Sequence, residues 1–112
     1  MSTYHLYLSG PMTGLKDKNF PAFMKAAIKL RAKKYRVVNP AELNIGDPKA
    51  SWEECLVRDI KEMMKCRAVA LLPNWKKSRG AKLEVYVAKS LNWPIHPVSY
   101  YLQRRKRNAL SH

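Results

Sequence analysis

Residues 67–73 read RAVALLP. Ala68, Val69, Ala70, Leu71 and Leu72 are all apolar, and Pro73 ends the run. A strand with one wet face alternates apolar and polar residues. A short, unbroken apolar run stopped by proline reads instead as a strand covered on both faces, the pattern of a parallel sheet sandwiched between helices.

The flanking segments fit that frame. Upstream, SWEECLVRDIKEMMKC (51–66) has a helical period, with Trp52, Cys55, Leu56 and Met63 on one face. Ser51 and Glu54 have the spacing of a capping box. Downstream, NWKKS (74–78) reads as a loop and SRGAKLEVYVAKSLNWPI (78–95) as a second helix that runs into a strand, WPIHPV (93–98). In that helix Ala81, Val87, Ala88 and Leu91 share one face, while Lys82, Lys89 and Ser90 take the other.

The N-terminal part repeats the order. YHLYL contains a short buried strand at residues 4–8, followed by a Gly/Pro loop, SGPMTG (9–14). NFPAFMKAAIKLRAKK is an amphipathic helix with Phe20, Phe23, Met24, Ala27 and Leu30 inward and Asn19 as its expected N-cap. YRVVNP reads as a strand stopped by Pro40, and a loop is expected up to about Ala50. YYLQRRKRNALSH closes the chain as a basic tail.

Alternation of strand and helix implies right-handed crossovers and a parallel sheet. The expected fold is a single small α/β domain of Rossmann or flavodoxin-like type. It should have about four parallel strands with helices on both faces, spanning residues 1–100, with a tail at 101–112. Ligands of such sheets sit outside the carboxyl ends of the strands, at the switch point. That rule selects SGPMTG, VNPAE and PNWKKSRG.

Composition narrows the classes. The 112 residues suffice for one core, and the 46% hydrophobic content favours folding. No apolar run is long enough for a membrane span and no signal-peptide pattern is present, so the cytoplasm is the expected compartment. Cys55 and Cys66 fit reduced, packed thiols there. His5, His96 and His112 are scattered, so neither a metal site nor a cofactor is expected. The formal net charge of +14 attracts anions such as nucleotides or nucleic acid.

Two acids stand against the pattern. Glu84 lies on the apolar face of its helix and Asp59 on the apolar face of the preceding one. Burial raises a carboxyl pKa, and two nearby carboxyls drive each other apart, so one can act as an ionised nucleophile and the other as an acid. The competing explanation pairs each with one of the many lysines or arginines. Ser78 fits a helix N-cap, and Gly80 would let an anion approach the free N–H groups. Trp75 lies in a ligand-side loop, where it could stack on a base or merely cover the sheet. Tyr7, at the end of the first strand, needs a partner for its hydroxyl, and Glu84 qualifies.

YLSGPMTG, an inward Asp ahead of an apolar strand, and S-x-G-A-x-x-E-x-x-x-A-x-x-L-x-x-P-I occur here in order. Together they resemble the nucleoside 2-deoxyribosyltransferase superfamily over roughly residues 3–98. Within it the chain is most similar to a small branch common in phages and prophages, and in function to the 2'-deoxynucleoside 5'-phosphate N-hydrolases. The resemblance implies Glu84 as nucleophile, Asp59 as the acid assisting the leaving base, and Tyr7 as the group orienting the nucleophile. It implies Ser78 and Gly80 at a 5'-phosphate, and Gly10 and Met12 over sugar and base. It also implies a homodimer and a small deoxynucleotide substrate. Thr13 stands where those hydrolases carry an arginine, and Lys16, Lys76, Lys77 or Arg79 could replace it. Two alternatives remain: an NAD or ADP-ribose N-glycosidase on the same fold, and a basic nucleic-acid-binding protein with a vestigial site. The basic run at 104–107 would serve the latter.

Overall fold

The computed structural model describes residues 5–103. The basic run at 104–107 lies outside the described residues. The chain folds as four parallel strands, β1 (His5–Ser9), β2 (Arg36–Val38), β3 (Ala68–Leu71) and β4 (Ile95–Pro97), in the order β2-β1-β3-β4. The α/β expectation holds. No helix among the described residues is long and apolar enough to cross a membrane.

The pleat sorts the two central strands. Leu6 and Leu8 of β1, with Ala68 and Ala70 of β3, face helix α1 (Phe20–Ala32), packing against Phe23, Ala27 and Leu30. Tyr7, Val69 and Leu71 face the opposite layer, where they meet Met63 from α3 (Trp52–Met63), and Val85 and Ala88 from α4 (Arg79–Ser90). Both faces of β3 are therefore dry, which is why its sequence shows no alternation. Each fully buried leucine here contributes roughly 1.5–3 kcal/mol.

Three local readings are corrected. Pro40 does not open a long loop. It is the first residue of a short helix, α2 (Pro40–Asn44), which Asn39 caps by accepting from the Ala41 N–H at 3.0 Å. An N-cap followed by proline at the first helical position is a start signal. Asn19 occupies the N-cap position of α1 as expected, but its side chain does not cap: Asp17, Lys18 and Asn19 all have positive φ, and the Asn19 amide donates instead to the Pro11 carbonyl at 2.9 Å. Leu91 is not on the packed face of α4. It is exposed at the helix end, and the sheet-facing stripe is Ala81, Glu84, Val85 and Ala88.

A further helix, α5 (Val98–Gln103), begins before the expected tail and includes its first residues. Tyr101 is fully buried beside α1, and its hydroxyl donates to the Val69 carbonyl at 3.0 Å. The small Ala68 and Ala70 leave room for that ring. Chain order reverses between β1 and β3, so the switch point opens at Ser9, Gly10 and Leu72.

Candidate functional site

At the switch point lies a cavity of about 270 Å³. The loop after β1 contributes Gly10 and Met12, α3 contributes Asp59, and α4 contributes Gly80 and Glu84, with Ser78 just before it. These residues come from three separate stretches of sequence, and the structure brings them to one place. Gly10 is there for a packing reason. A Cβ on it would lie 2.7 Å from the Leu72 Cβ, so only glycine lets the loop cross β3 so closely.

Glu84 projects from the sheet-facing stripe of α4 and is only 5% exposed. The Tyr7 hydroxyl donates to its Oε2 at 2.9 Å, and the Ser9 hydroxyl to its Oε1 at 2.6 Å. Tyr7 and Ser9 are two residues apart on β1, so the pleat aims both at the same helix. Among the described residues neither Glu84 nor Asp59 belongs to an ion pair. The cations so engaged among the described residues are Arg31, Arg58 and Lys65, which pair with Glu42, Asp47 and Glu62. The explanation of both inward acids as salt-bridge partners is therefore not the arrangement found.

Asp59 is also buried, and its Oδ1 accepts from the Asn44 amide at 3.0 Å. Burial pushes its carboxyl up to about 6, against the opposing pull of the Asn44 hydrogen bond and the Arg58 charge. Glu84 is pushed up to about 7, chiefly by burial and also by the Asp59 charge, against the opposing pull of the Ser9 and Tyr7 hydroxyls. Burial and the Glu84 charge hold the Tyr7 phenol well above its ordinary range, so it stays a donor. Two carboxyls that titrate near neutrality and feel each other behave as a pair, which can hold a single proton in that range. One is then a base or nucleophile while the other is an acid.

The entrance to the cavity is built from two helix starts. The Ser78 Oγ accepts from the Ala81 N–H at 3.1 Å and so caps α4. Gly80 follows at the second helical position. A Cβ there would meet Leu56 and the Trp52 indole only at 3.9 Å, so packing does not demand glycine at this point. The Arg79 guanidinium lies 3.7 Å over the Trp52 ring, tying the starts of α3 and α4 together.

Trp75 is not at the cavity. It packs with the cluster around Tyr7, Met63 and Val69 and covers the sheet end, with the Lys76 ammonium 5.8 Å from its ring. Trp52, which the helical period placed on a packed face, lines the cavity instead. Cys55 also lines it and is only half-buried, whereas Cys66 is buried as expected. Ser9 and Asn44 escaped the sequence reading. Ser9 was detectable as the next residue on the Tyr7 face of the strand. Asn44 lay in a segment read as loop. Among the described residues no group of three or more His, Cys, Asp or Glu could hold a metal ion.

The sequence model of the family described as Domain of unknown function (DUF4406) matches residues 4–97. That span contains every residue of the cavity. No curated protein matches the chain.

Proposed function

The chain belongs to the DUF4406 family, within the nucleoside 2-deoxyribosyltransferase-like clan, and from that premise we propose that it cleaves the N-glycosidic bond of 2'-deoxynucleoside 5'-monophosphates with Glu84 as nucleophile. The observation that carries this reading is the Glu84 carboxylate itself. It is buried at a cavity floor without a cation, and each of its oxygens receives a hydroxyl hydrogen bond. A charged glutamate at such a depth needs either a basic partner or specific donors. One held by two neutral donors stays oriented and can still form a bond.

In the proposed reaction the pair reacts from the form in which its shared proton sits on Asp59, and the ionised Glu84 attacks C1' as the bond to the base breaks. Asp59 gives its proton to the leaving base, and water, deprotonated by Asp59, then releases the sugar from Glu84. The logic is that of retaining glycosidases, with an oxocarbenium-like transition state. A 2'-deoxy sugar reaches that state more readily because it lacks an electron-withdrawing hydroxyl. At about 270 Å³ the cavity lies just below the roughly 300–1,000 Å³ of small-molecule sites, which suits a mononucleotide better than the larger NAD. The start of α4 offers free N–H groups to a 5'-phosphate. A second base in place of water would give transfer by the same intermediate.

The test is a panel of deoxynucleosides, deoxynucleotides, ribonucleotides and NAD, each assayed for free base by chromatography. Deoxynucleoside monophosphates are expected to turn over at least about tenfold better than nucleosides, a difference of about 1.4 kcal/mol. A 2'-fluoro-2'-deoxynucleotide is expected to leave a sugar-phosphate adduct on the peptide containing Glu84, and Glu84→Gln to abolish adduct and turnover. An adduct on another residue, or full activity of Glu84→Gln, would overturn the mechanism. Asp59→Asn is expected to slow turnover by roughly two to four orders of magnitude and to remove the alkaline limb of the pH–rate profile.

A further inference from the structure

Asp59 has two carboxyl oxygens in unlike surroundings. Oδ1 accepts from Asn44 Nδ2 at 3.0 Å. Oδ2 has no hydrogen-bond partner among the described residues and is not sealed from solvent, so it opens on the cavity that Asp59 lines. What holds Asn44 therefore decides which oxygen of Asp59 faces the reaction.

Asn44 is itself buried, at the end of α2. Its Oδ1 accepts from the Arg58 guanidinium at 2.7 Å, and its Nδ2 also donates to the Pro40 carbonyl at 2.8 Å. A guanidinium only donates and a carbonyl only accepts. Both neighbours thus impose the same orientation on the amide. A flipped amide would set donor against donor at Arg58 and acceptor against acceptor at Pro40. Arg58 is held in turn by Asp47 at 3.0 Å. The resulting chain runs Asp47, Arg58, Asn44, Asp59, and its positive charge polarises the amide toward Asp59.

We propose that Asn44 is a positioning residue for Asp59 and that Arg58, acting through Asn44, makes the two Asp59 oxygens unequal: Oδ1 is kept as an acceptor, and Oδ2 alone carries and delivers the proton. The role in proton delivery rests on the glycosidase reading above; the inequality of the oxygens rests on the hydrogen bonds alone. An acid whose proton can sit on either oxygen is wrongly protonated half the time. Here the proton is confined to the oxygen that faces the leaving group. The other titratable or charged groups around Asp59 are Glu84 from α4, Tyr7 from β1, Cys55 one turn back on α3 and Lys18 at the cavity wall. None of these donates to Oδ1.

The test is an NMR titration of the Asp59 carboxyl carbon, assigned with Asp59→Asn, in wild type, Asn44→Ala, Arg58→Met and the double variant. It needs no turnover, so it separates this proposal from the glycosidase reading. Removing a donor from the charged form should raise the Asp59 midpoint by about one pH unit in Asn44→Ala. Arg58→Met should raise it in the wild-type background but much less in the Asn44→Ala background, because the coupling passes through the amide. Asn44→Ser replaces Asn44→Ala if the latter does not fold. An unchanged midpoint in a folded Asn44 variant, or equal Arg58→Met shifts in both backgrounds, would overturn the proposal. If the enzyme is active, the alkaline limb of its pH–rate profile should move with the midpoint. A midpoint shift without any nucleotide turnover would uphold the relay and remove the glycosidase function.

Discussion

At the scale of single residues, the site stores a cost that can be measured without a substrate. The Glu84 carboxyl holds its proton to about pH 7 in the folded protein, against an ordinary value of 4.5. Between those values the native state binds more protons than the unfolded chain. Stability therefore falls as pH rises through that window and does not recover above it. A glutamine at this position has no charge to bury. Glu84→Gln is expected to match wild type near pH 4 and to exceed it at pH 8 by an amount on the order of 3 kcal/mol, seen as a Tm higher by several degrees. Equal melting curves at pH 8 would show that the buried carboxylate is not costly. The sequence exposed this residue because an acid on an apolar helical face breaks a period. It pointed to Ser9 only as the next residue on the Tyr7 face of the strand, and that hydroxyl acquires meaning only from Glu84 opposite.

At the scale of elements, the cavity depends on close approaches at two glycines that behave oppositely. Gly10 lies where the loop after β1 crosses Leu72, and an added methyl would sit 2.7 Å from a Cβ that cannot rotate away. Gly10→Ala is expected to cost about 1–3 kcal/mol of stability. At Gly80 the same methyl meets its neighbours at 3.9 Å. Alanine also suits a helix better than glycine, by up to about 1 kcal/mol. Gly80→Ala is therefore expected to keep or raise Tm while lowering kcat/KM for a monophosphate, because the methyl stands where a phosphate would approach the start of α4. Paired thermal melts and kinetics on the two variants decide this. If Gly80→Ala kept full activity, the start of α4 would not hold the phosphate. Helix boundaries followed the same divide. The capping box at Ser51 and Glu54 was plain in sequence and is present. The positive φ at Asn19, which removes its cap, follows from the loop carrying the chain past Pro11, and no local pattern encodes it.

At the scale of the whole molecule, the chain carries a formal charge of +14, while Glu84 and Asp59 in the cavity have no salt bridge among the described residues. Such a field draws anionic ligands from solution, and salt weakens it. Raising ionic strength from about 0.01 M to about 0.15 M shortens the screening length from about 30 Å to about 8 Å. The KM for a deoxynucleoside monophosphate is expected to rise several-fold over that range, while the KM for the uncharged nucleoside stays within about twofold. Steady-state kinetics at the two ionic strengths checks this, and parallel changes for both substrates would mean that the field plays no part in capture.

The sequence by itself determined the layers. An apolar run at 68–72, helices of regular period and alternating order leave few arrangements other than a covered parallel sheet, because every buried face must find a partner. It also marked Glu84, Asp59 and Tyr7, since each conflicts with the pattern around it. Only the tertiary structure decided what those residues touch. Trp75 in a ligand-side loop and Trp52 on a packed helical face exchange their expected places: the first covers the sheet end and the second lines the cavity. Asn44 has no signature, yet it stands between a guanidinium and a carboxylate. Periodicity records which side of an element is buried, because burial acts on each element through the same solvent. Contacts between side chains far apart in the chain leave no periodic trace, because they depend on register and crossover, which the whole fold sets at once.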